Sequence, residues 1–318
     1  MNPSIAKYSK KFQKLRVDRS HGIAPHKPIL LLAILQSYDE GTIKGDRIYL
    51  SPELVAMFKS IWSQLVTTNH DCRISYPFFY MKSEGFWRLI PKKGFGEIEK
   101  MGSLMKSFSS LSAAVAYAQI DQSLYELCLN SKSNQTLKQQ LLDEYFPVTK
   151  HRFSGGNTSG SIFKDLEGKF LNEPPAEYQR QTKLLLEDNE EEEVFLRGSV
   201  FKREIPKIYD SRCCISGLRV DSIHNFSMID ACHIVPFSES YDDTVTNGLA
   251  LCPNLHRAFD RGLISIALDY RVCVSDSFVE EGDYSIRQYD GQKINLPSNQ
   301  SYWANQKNLE WHKQYVFK

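Results

Sequence analysis

The sequence has no long apolar run. Nowhere do about 18 consecutive residues stay apolar, so no membrane-spanning helix is expected. It has no export-type start either: MNPSIAKYSKKFQKLR turns polar and basic at once, unlike a signal peptide, and a cytoplasmic location is expected. It has little cysteine for its size, seven residues at odd count: Cys72, Cys128, Cys213, Cys214, Cys232, Cys252 and Cys273. These read as cytosolic thiols and not as a disulfide framework. There is no internal repeat and no low-complexity bias. What is present is globular: 42% apolar and 24% charged residues over 318 positions. That length suits about two domains of roughly 150 residues each.

The net charge of +1 hides an uneven distribution. Residues 1–27 carry Lys7, Lys10, Lys11, Lys14, Arg16, Arg19 and Lys27 against Asp18 alone. The cluster suits an anionic partner such as a nucleic-acid backbone, or else a solvated helix face. The acidic block EDNEEEE, 187–193, reads as solvated linker.

The fold class expected is α+β. HKPILLLAILQSY (26–38) predicts a buried helix with Pro28 at its first position. SPELVAMFKSIWSQLV (51–66) predicts an amphipathic helix with Ser51 as N-cap. YPFFYMKSEGFWRLI (76–90) reads as a hairpin turning at Ser83-Glu84-Gly85, and 103–118 and 121–146 as helical. A first domain over 1–150 is followed by a Gly/Ser/Asn/Pro-rich linker, 151–193, with one short helix near 177–187. A second domain covers 194–318 and opens on a helix over about 197–210.

Residues 213–262 bear the chemistry. His233 ends the apolar stretch MIDACHIVPF, a short strand stopped by Pro236. A neutral imidazole there can activate water against a phosphodiester phosphorus. Asn247 opens NGLALCPNLHRAF and can hold the preceding loop through its amide. His256 lies on the helix that follows and can bind a divalent cation. Asp260, four residues on, shares its face and is either a second ligand or a structural residue. Asp230 stands at odd spacing from His233, on the opposite strand face, where it can point to the metal while His233 points to the water. Such a metal would polarise the phosphate and stabilise the leaving oxygen.

The strings DACHIVP, NGLALC and LHRAFDRG, in this order, resemble the HNH nuclease family, in the branch related to McrA-type restriction enzymes. The resemblance covers about 213–265. It implies a ββα-metal fold, a hairpin plus a helix around one cation. It implies His233 as general base, Asn247 as the central Asn, His256 as metal ligand and Asp230 as the second ligand. The ion expected is Mg²⁺ or Mn²⁺. Many members hold a structural zinc with two Cys-x-x-Cys pairs. Here Ser216 and Leu255 stand opposite Cys213 and Cys252, so no structural zinc is expected. Cys232 occupies a position that is acidic in many members; it reads as a small buried residue, with thiolate ligation the alternative.

LRVDRSHGIAPHKPILLLAIL (15–35) and YPFFYMKSEGFWRL (76–89) resemble the sulfur-binding domain of phosphorothioate-dependent restriction enzymes, over about 8–150. Tyr76 and Pro77 match the pocket residues of that family. Tyr80 sits where some members have a smaller one. Arg19, His26 and Lys27 match positions that line the pocket or contact the backbone. Sulfur is larger, more polarisable and a poorer hydrogen-bond acceptor than oxygen, so an apolar pocket can select it. Phe78, Phe86 and Trp87 are expected in the core; Tyr76, Pro77, His26 and Lys27 at the surface.

Together the two resemblances imply a prokaryotic type IV restriction endonuclease acting on phosphorothioated double-stranded DNA. One HNH site cuts one strand, so a double-strand break implies a homodimer or two successive nicks. The alternatives are an HNH nuclease triggered by another modification or by unmodified foreign DNA, and a non-catalytic DNA reader.

Overall fold

The computed structural model describes residues 3–20, 22–96, 107–155, 158–220 and 227–318. The chain divides into two compact units, Met1–Lys164 and Asp165–Lys318. Among the described residues no helix is long and apolar enough to cross a membrane.

In the first unit, α1 (Pro3–Gln13) is followed by α2 (His26–Asp39), which runs through the centre of the core. Ile29 to Leu35 are buried without a break, as a helix apolar on all sides requires. Pro25 is the N-cap, so Pro28 is the third helical residue and not the first. It is tolerated there because the first four N–H groups of a helix have no internal acceptor. β1 (Arg47–Ile48) precedes α3 (Pro52–Leu65), capped as expected by Ser51, whose hydroxyl accepts from the Leu54 N–H at 3.2 Å.

The segment expected as a hairpin is instead α4 (Ser75–Tyr80), a 3-10 turn (Met81–Glu84) and the strand β2 (Trp87–Pro91). Phe78 and Phe79 are both buried, a consecutive pair that an alternating strand would split between two faces. Gly85, at φ 70°, makes the left-handed turn into β2. Phe78, Phe86 and Trp87 lie in the core, the Trp87 indole donating to the Phe78 carbonyl at 2.9 Å.

Of the helix expected over 103–118, residues 103–106 lie outside the described residues. The rest is α5 (Phe108–Ala114) running into β3 (Val115–Ile120). β3 is the central strand of an antiparallel sheet ordered β1-β3-β2. Pairing on both edges overrides the local preference of this Ala-containing stretch. The helical region 121–146 holds α6 (Gln122–Leu129) and α7 (Ser131–Tyr145), which pack on α2.

The stretch expected as linker is helical: α8 (Thr158–Asn172), α9 (Pro175–Glu187) and α10 (Glu191–Ile208). Pro175 starts α9 at a position where its missing N–H costs nothing. The acidic block is not solvated linker. Glu191, Glu192 and Glu193 form the first turn of α10, where negative charge faces the positive helix end, and Glu192 is buried.

In the second unit α10 packs on an antiparallel pair, β4 (Asp230–His233) and β5 (Gly248–Leu251). Between the two strands the chain forms a one-turn helix, α11 (Phe237–Ser240), and a 3-10 turn (Val245–Asn247). Gly248 lets α10 approach: a Cβ there would collide with the Ile205 side chain. After β5 comes α12 (Pro253–Asp260), so two strands and a helix stand together as a ββα unit. The hairpin β6 (Ile264–Ile266) and β7 (Val272–Val274) follows, and the last helix, α13 (Gln306–Tyr315), packs on β6.

Candidate active site and a second cleft

His233 ends β4 with its ring stacked on Phe201 of α10, centroids 3.9 Å apart and planes 5° from parallel. Its Nε2 lies 2.7 Å from Asp243 Oδ1. A carboxylate only accepts, so Nε2 carries a proton, and the neutral form of the ring has its lone pair on Nδ1. Phe201 is fully buried and so is Asp243, which leaves the imidazole one orientation. Asp243 was not found by sequence reasoning. The acidic pair Asp242-Asp243 was the available signal, but nothing in one sequence says which of the two faces the histidine. The structure divides the tasks: Asp242 Oδ1 accepts the Thr244 N–H at 2.8 Å, and Asp243 holds the ring.

Asn247 is fully buried at the end of its 3-10 turn. Its Nδ2 donates to the carbonyls of Val235 (2.9 Å) and Asp242 (2.8 Å). Its Oδ1 accepts from the Val235 N–H (2.9 Å) and from Asn308 Nδ2 (3.0 Å). All four bonding positions of the amide are used. They tie the residue two places after His233 to the residue before Asp243, closing the loop that brings His233 and Asp243 together. Asn308, on α13, was also missed; it lies 61 positions away in sequence and no local pattern announces it.

His256, on α12, stands between two carboxylates. Its Nδ1 is 3.5 Å from Asp230 Oδ2 and its Nε2 3.5 Å from Asp260 Oδ2. Both carboxylates are largely exposed. Behind them Cys232 is fully buried, its thiol directed at Asp260 Oδ1 over 3.8 Å. Burial pushes this thiol well above its ordinary range. An imidazole with two carboxylates on one open face suits a divalent cation. The structure thus brings Asp230, His256 and Asp260 together, with His233 on the other face of β4.

Cys213 and Cys252 meet as a hydrogen-bonded pair; the Cys252 thiol holds Cys213 low and is itself raised. Ser216 meets this pair through both its hydroxyl and its N–H, the latter 3.4 Å from Cys213 Sγ, and Leu255 is fully buried.

The first unit has a cleft of about 1100 Å³. His26, Lys27, Tyr76, Pro77 and Tyr80 all line it, whereas Arg19 is exposed outside it and Arg16 lines it instead. Two expectations are corrected. Lys27 is not at the surface: it is 7% exposed, ion-paired with Glu84 and bonded to Ser83 Oγ at 2.9 Å. Its charge is already compensated inside the protein. Pro77 is buried as well, while Tyr80 is 40% exposed. His26 is half-buried, bonded through Nε2 to the Asp71 carbonyl at 2.8 Å and packed near Trp62 and Tyr76. Burial lowers its pKa, so the ring is neutral near pH 7. One wall of the cleft, Thr67 to Asp71, carried no motif and was not anticipated.

Residues 213–267 match the HNH endonuclease family, so the chain carries an HNH endonuclease domain. No curated protein matches the chain. A solved structure described as "Modification dependent TagI restriction endonuclease" is similar over 36% of this chain and 37% of that one, at 18% identity and a TM-score of 0.28.

Proposed function

We propose that this protein is a modification-dependent DNA endonuclease: the first unit engages a modified backbone, a phosphorothioate, and the second hydrolyses phosphodiester bonds of double-stranded DNA. The observation that carries the nuclease part is the pair of arrangements on the two faces of β4. One face offers an oriented imidazole base, the other an imidazole between two carboxylates.

In this reading His233 Nδ1 takes the proton of the attacking water, and Asp243 stabilises the imidazolium that forms. Phe201 prevents the ring from turning away. Asn247 holds the loop that carries Asp243. Asp230, His256 and Asp260 would hold a divalent ion, Mg²⁺ or Mn²⁺, which when bound polarises the phosphate and neutralises the leaving oxygen.

In the first unit Tyr76 and Pro77 would form the apolar seat for sulfur, with Tyr80 narrowing it. Basic residues of the N-terminal segment, Arg16 and Arg19 among them, would meet the DNA backbone. Two chains, each cutting one strand, would make the double-strand break.

A second reading is favoured by the same cleft. At about 1100 Å³ it is far larger than one sulfur atom, and Lys27 is committed to Glu84. Both features suit a bulkier mark, such as a modified base turned out of the duplex. The test is gel-shift and cleavage of matched duplexes: phosphorothioated, base-modified and unmodified, with Mg²⁺ or Mn²⁺. Selective binding and cutting of the sulfur-bearing duplex supports the first reading. Selection of a base-modified duplex supports the second. Equal cutting of all three removes modification dependence. Loss of cutting with retained binding in His233→Ala, by about 10²–10⁴-fold, supports the assignment of the base.

A further inference from the structure

Cys232 sits in an unusual place for a buried thiol. On β4 it is two residues from Asp230, so both side chains leave the same face of the strand. That face meets α12, where His256 and Asp260 are one turn apart. Cys232 Sγ, a ring nitrogen of His256 and a carboxylate oxygen of Asp260 lie within 4.8 Å of one another. The sulfur is 0% exposed, while the Asp230 and Asp260 side chains are 53% and 57% exposed. The cluster therefore has a sulfur floor, an imidazole wall and a carboxylate mouth. The polar neighbours of the sulfur are the carbonyl of His233 at 3.5 Å and the carboxylate of Asp260 at 3.8 Å.

The spacing fits a small tetrahedral ion. Bonds of about 2.0–2.3 Å set ligand atoms roughly 3.3–3.8 Å apart. The cluster reaches that by closing about 1 Å at its widest, within the swing of an exposed Asp260 side chain. Hard ions such as Mg²⁺ prefer an all-oxygen octahedron and keep their waters. A sulfur among the ligands favours Zn²⁺ or Co²⁺ instead.

We propose that Cys232 is a ligand of the nuclease metal site, which is thereby built for a borderline divalent ion, Zn²⁺ or Co²⁺, in preference to Mg²⁺. As the metal–sulfur bond forms, the S–H bond breaks. Its proton passes to Asp260, the acceptor already in place, and from that exposed carboxylate to solvent. The proposal rests on the reading of Asp230, His256 and Asp260 as the metal site of the HNH domain.

The test uses the full chain, stripped of metal with a chelator and titrated with Co²⁺. A near-ultraviolet sulfur-to-cobalt charge-transfer band is expected at one ion per chain. The band should vanish in Cys232→Ser and persist in the Cys213→Ser/Cys252→Ser variant, which removes the other thiol pair. Excess Mg²⁺ should not displace it. X-ray absorption of the Zn²⁺-loaded wild type needs no variant to fold and should give one sulfur neighbour at about 2.3 Å. No band, no sulfur neighbour, or a signal that follows Cys213 and Cys252 overturns the proposal. If DNA cleavage with Mg²⁺ accompanies such a negative result, the nuclease reading stands and only the thiolate falls. If no metal binds and nothing is cut, both fall.

Discussion

Replacing Asp243 by Asn is the most informative single change. The substitution keeps size and polarity but removes the charge facing His233. In the wild type the contact is a buried hydrogen bond to a carboxylate, 2.7 Å long, of the kind whose net contribution is about 1.5–3 kcal/mol. The bond strengthens as the ring becomes imidazolium, so its loss falls on the transition state. At tenfold per 1.36 kcal/mol the cleavage rate should drop about 10- to 150-fold. If the new amide presents its N–H₂ to Nε2, the ring must move its proton to Nδ1 and the base is lost outright. A ring held in the wrong tautomer can cost about 10⁴-fold. The assay is single-turnover cleavage at saturating metal, with metal and DNA affinity measured separately. The rate should fall while both affinities hold. In a double-mutant cycle with His233→Ala, Asp243→Asn should cost nothing further, because residues acting as a unit are not additive. A rate equal to wild type, or a full additional loss in the His233→Ala background, refutes the pairing as the source of the effect.

Three further outcomes follow from the second unit. Asn308→Ala removes one of the two donors to Asn247 Oδ1 and should lower the cleavage rate about fivefold, for about 1 kcal/mol, with DNA affinity unchanged in a gel shift. Gly248→Ala forces a methyl into Ile205 and should cost about 1–3 kcal/mol in urea unfolding, without any change of charge in the site. His312 is stacked on Phe259, accepts from the Ser265 hydroxyl at 3.0 Å and donates to the Phe259 carbonyl at 3.1 Å. Burial lowers its pKa from 6.5 to about 4. Between those values the unfolded chain holds the extra proton, so stability falls as the pH drops through that window, by about 3 kcal/mol in all. His312→Gln should flatten the acid limb of a stability–pH curve; an unchanged limb would remove His312 as its cause.

Elements that carry their own instructions were readable from sequence. Ser51 and Pro52 start α3, and the unbroken run Ile29–Leu35 can only be a central helix. The errors lie where distant pairing decides. VAYAQI (115–120) becomes a strand because it is sandwiched between β1 and β2, drawn from 47–48 and 87–91. YPFFY has aromatic and β-prone residues but no strand partner of its own, and it coils into α4 against α2. The stretch 151–193 reads as linker because Gly, Ser and Asn dominate its start. Its later apolar residues, Leu166, Phe170 and Tyr178, are buried, and that burial holds helices which composition alone does not suggest.

The same division runs through the candidate active site. Asp230 and His233 lie on one strand, Asn247 on the 3-10 turn before the next, and His256 and Asp260 on one helix, all within some thirty positions, a span in which local motif spacing places side chains on known faces. Asp243 and Asn308 could not be read that way, because their roles depend on where a loop and the last helix fold back. They nevertheless hold two of the readable residues in place: Asp243 bonds His233 and Asn308 bonds Asn247. A ring at the end of a strand can rotate about χ1 and χ2, and the His233 imidazole has a defined orientation only because Phe201 covers one side and Asp243 takes one nitrogen, which the proposed role as base requires. Asn308 fills the last acceptor position on Asn247, so the loop carrying Asp243 is closed from outside the family-matched segment. On this argument, residues 213–267 cut free from α10 and α13 should still form the metal cluster, because Asp230, Cys232, His256 and Asp260 are internal to that segment. The fragment should not cleave at the full-length rate, because Phe201 and Asn308 are not in it. Co²⁺ binding and cleavage measured on the fragment and on the full chain decide the point: equal cleavage by both would mean that the outer helices do not orient the base.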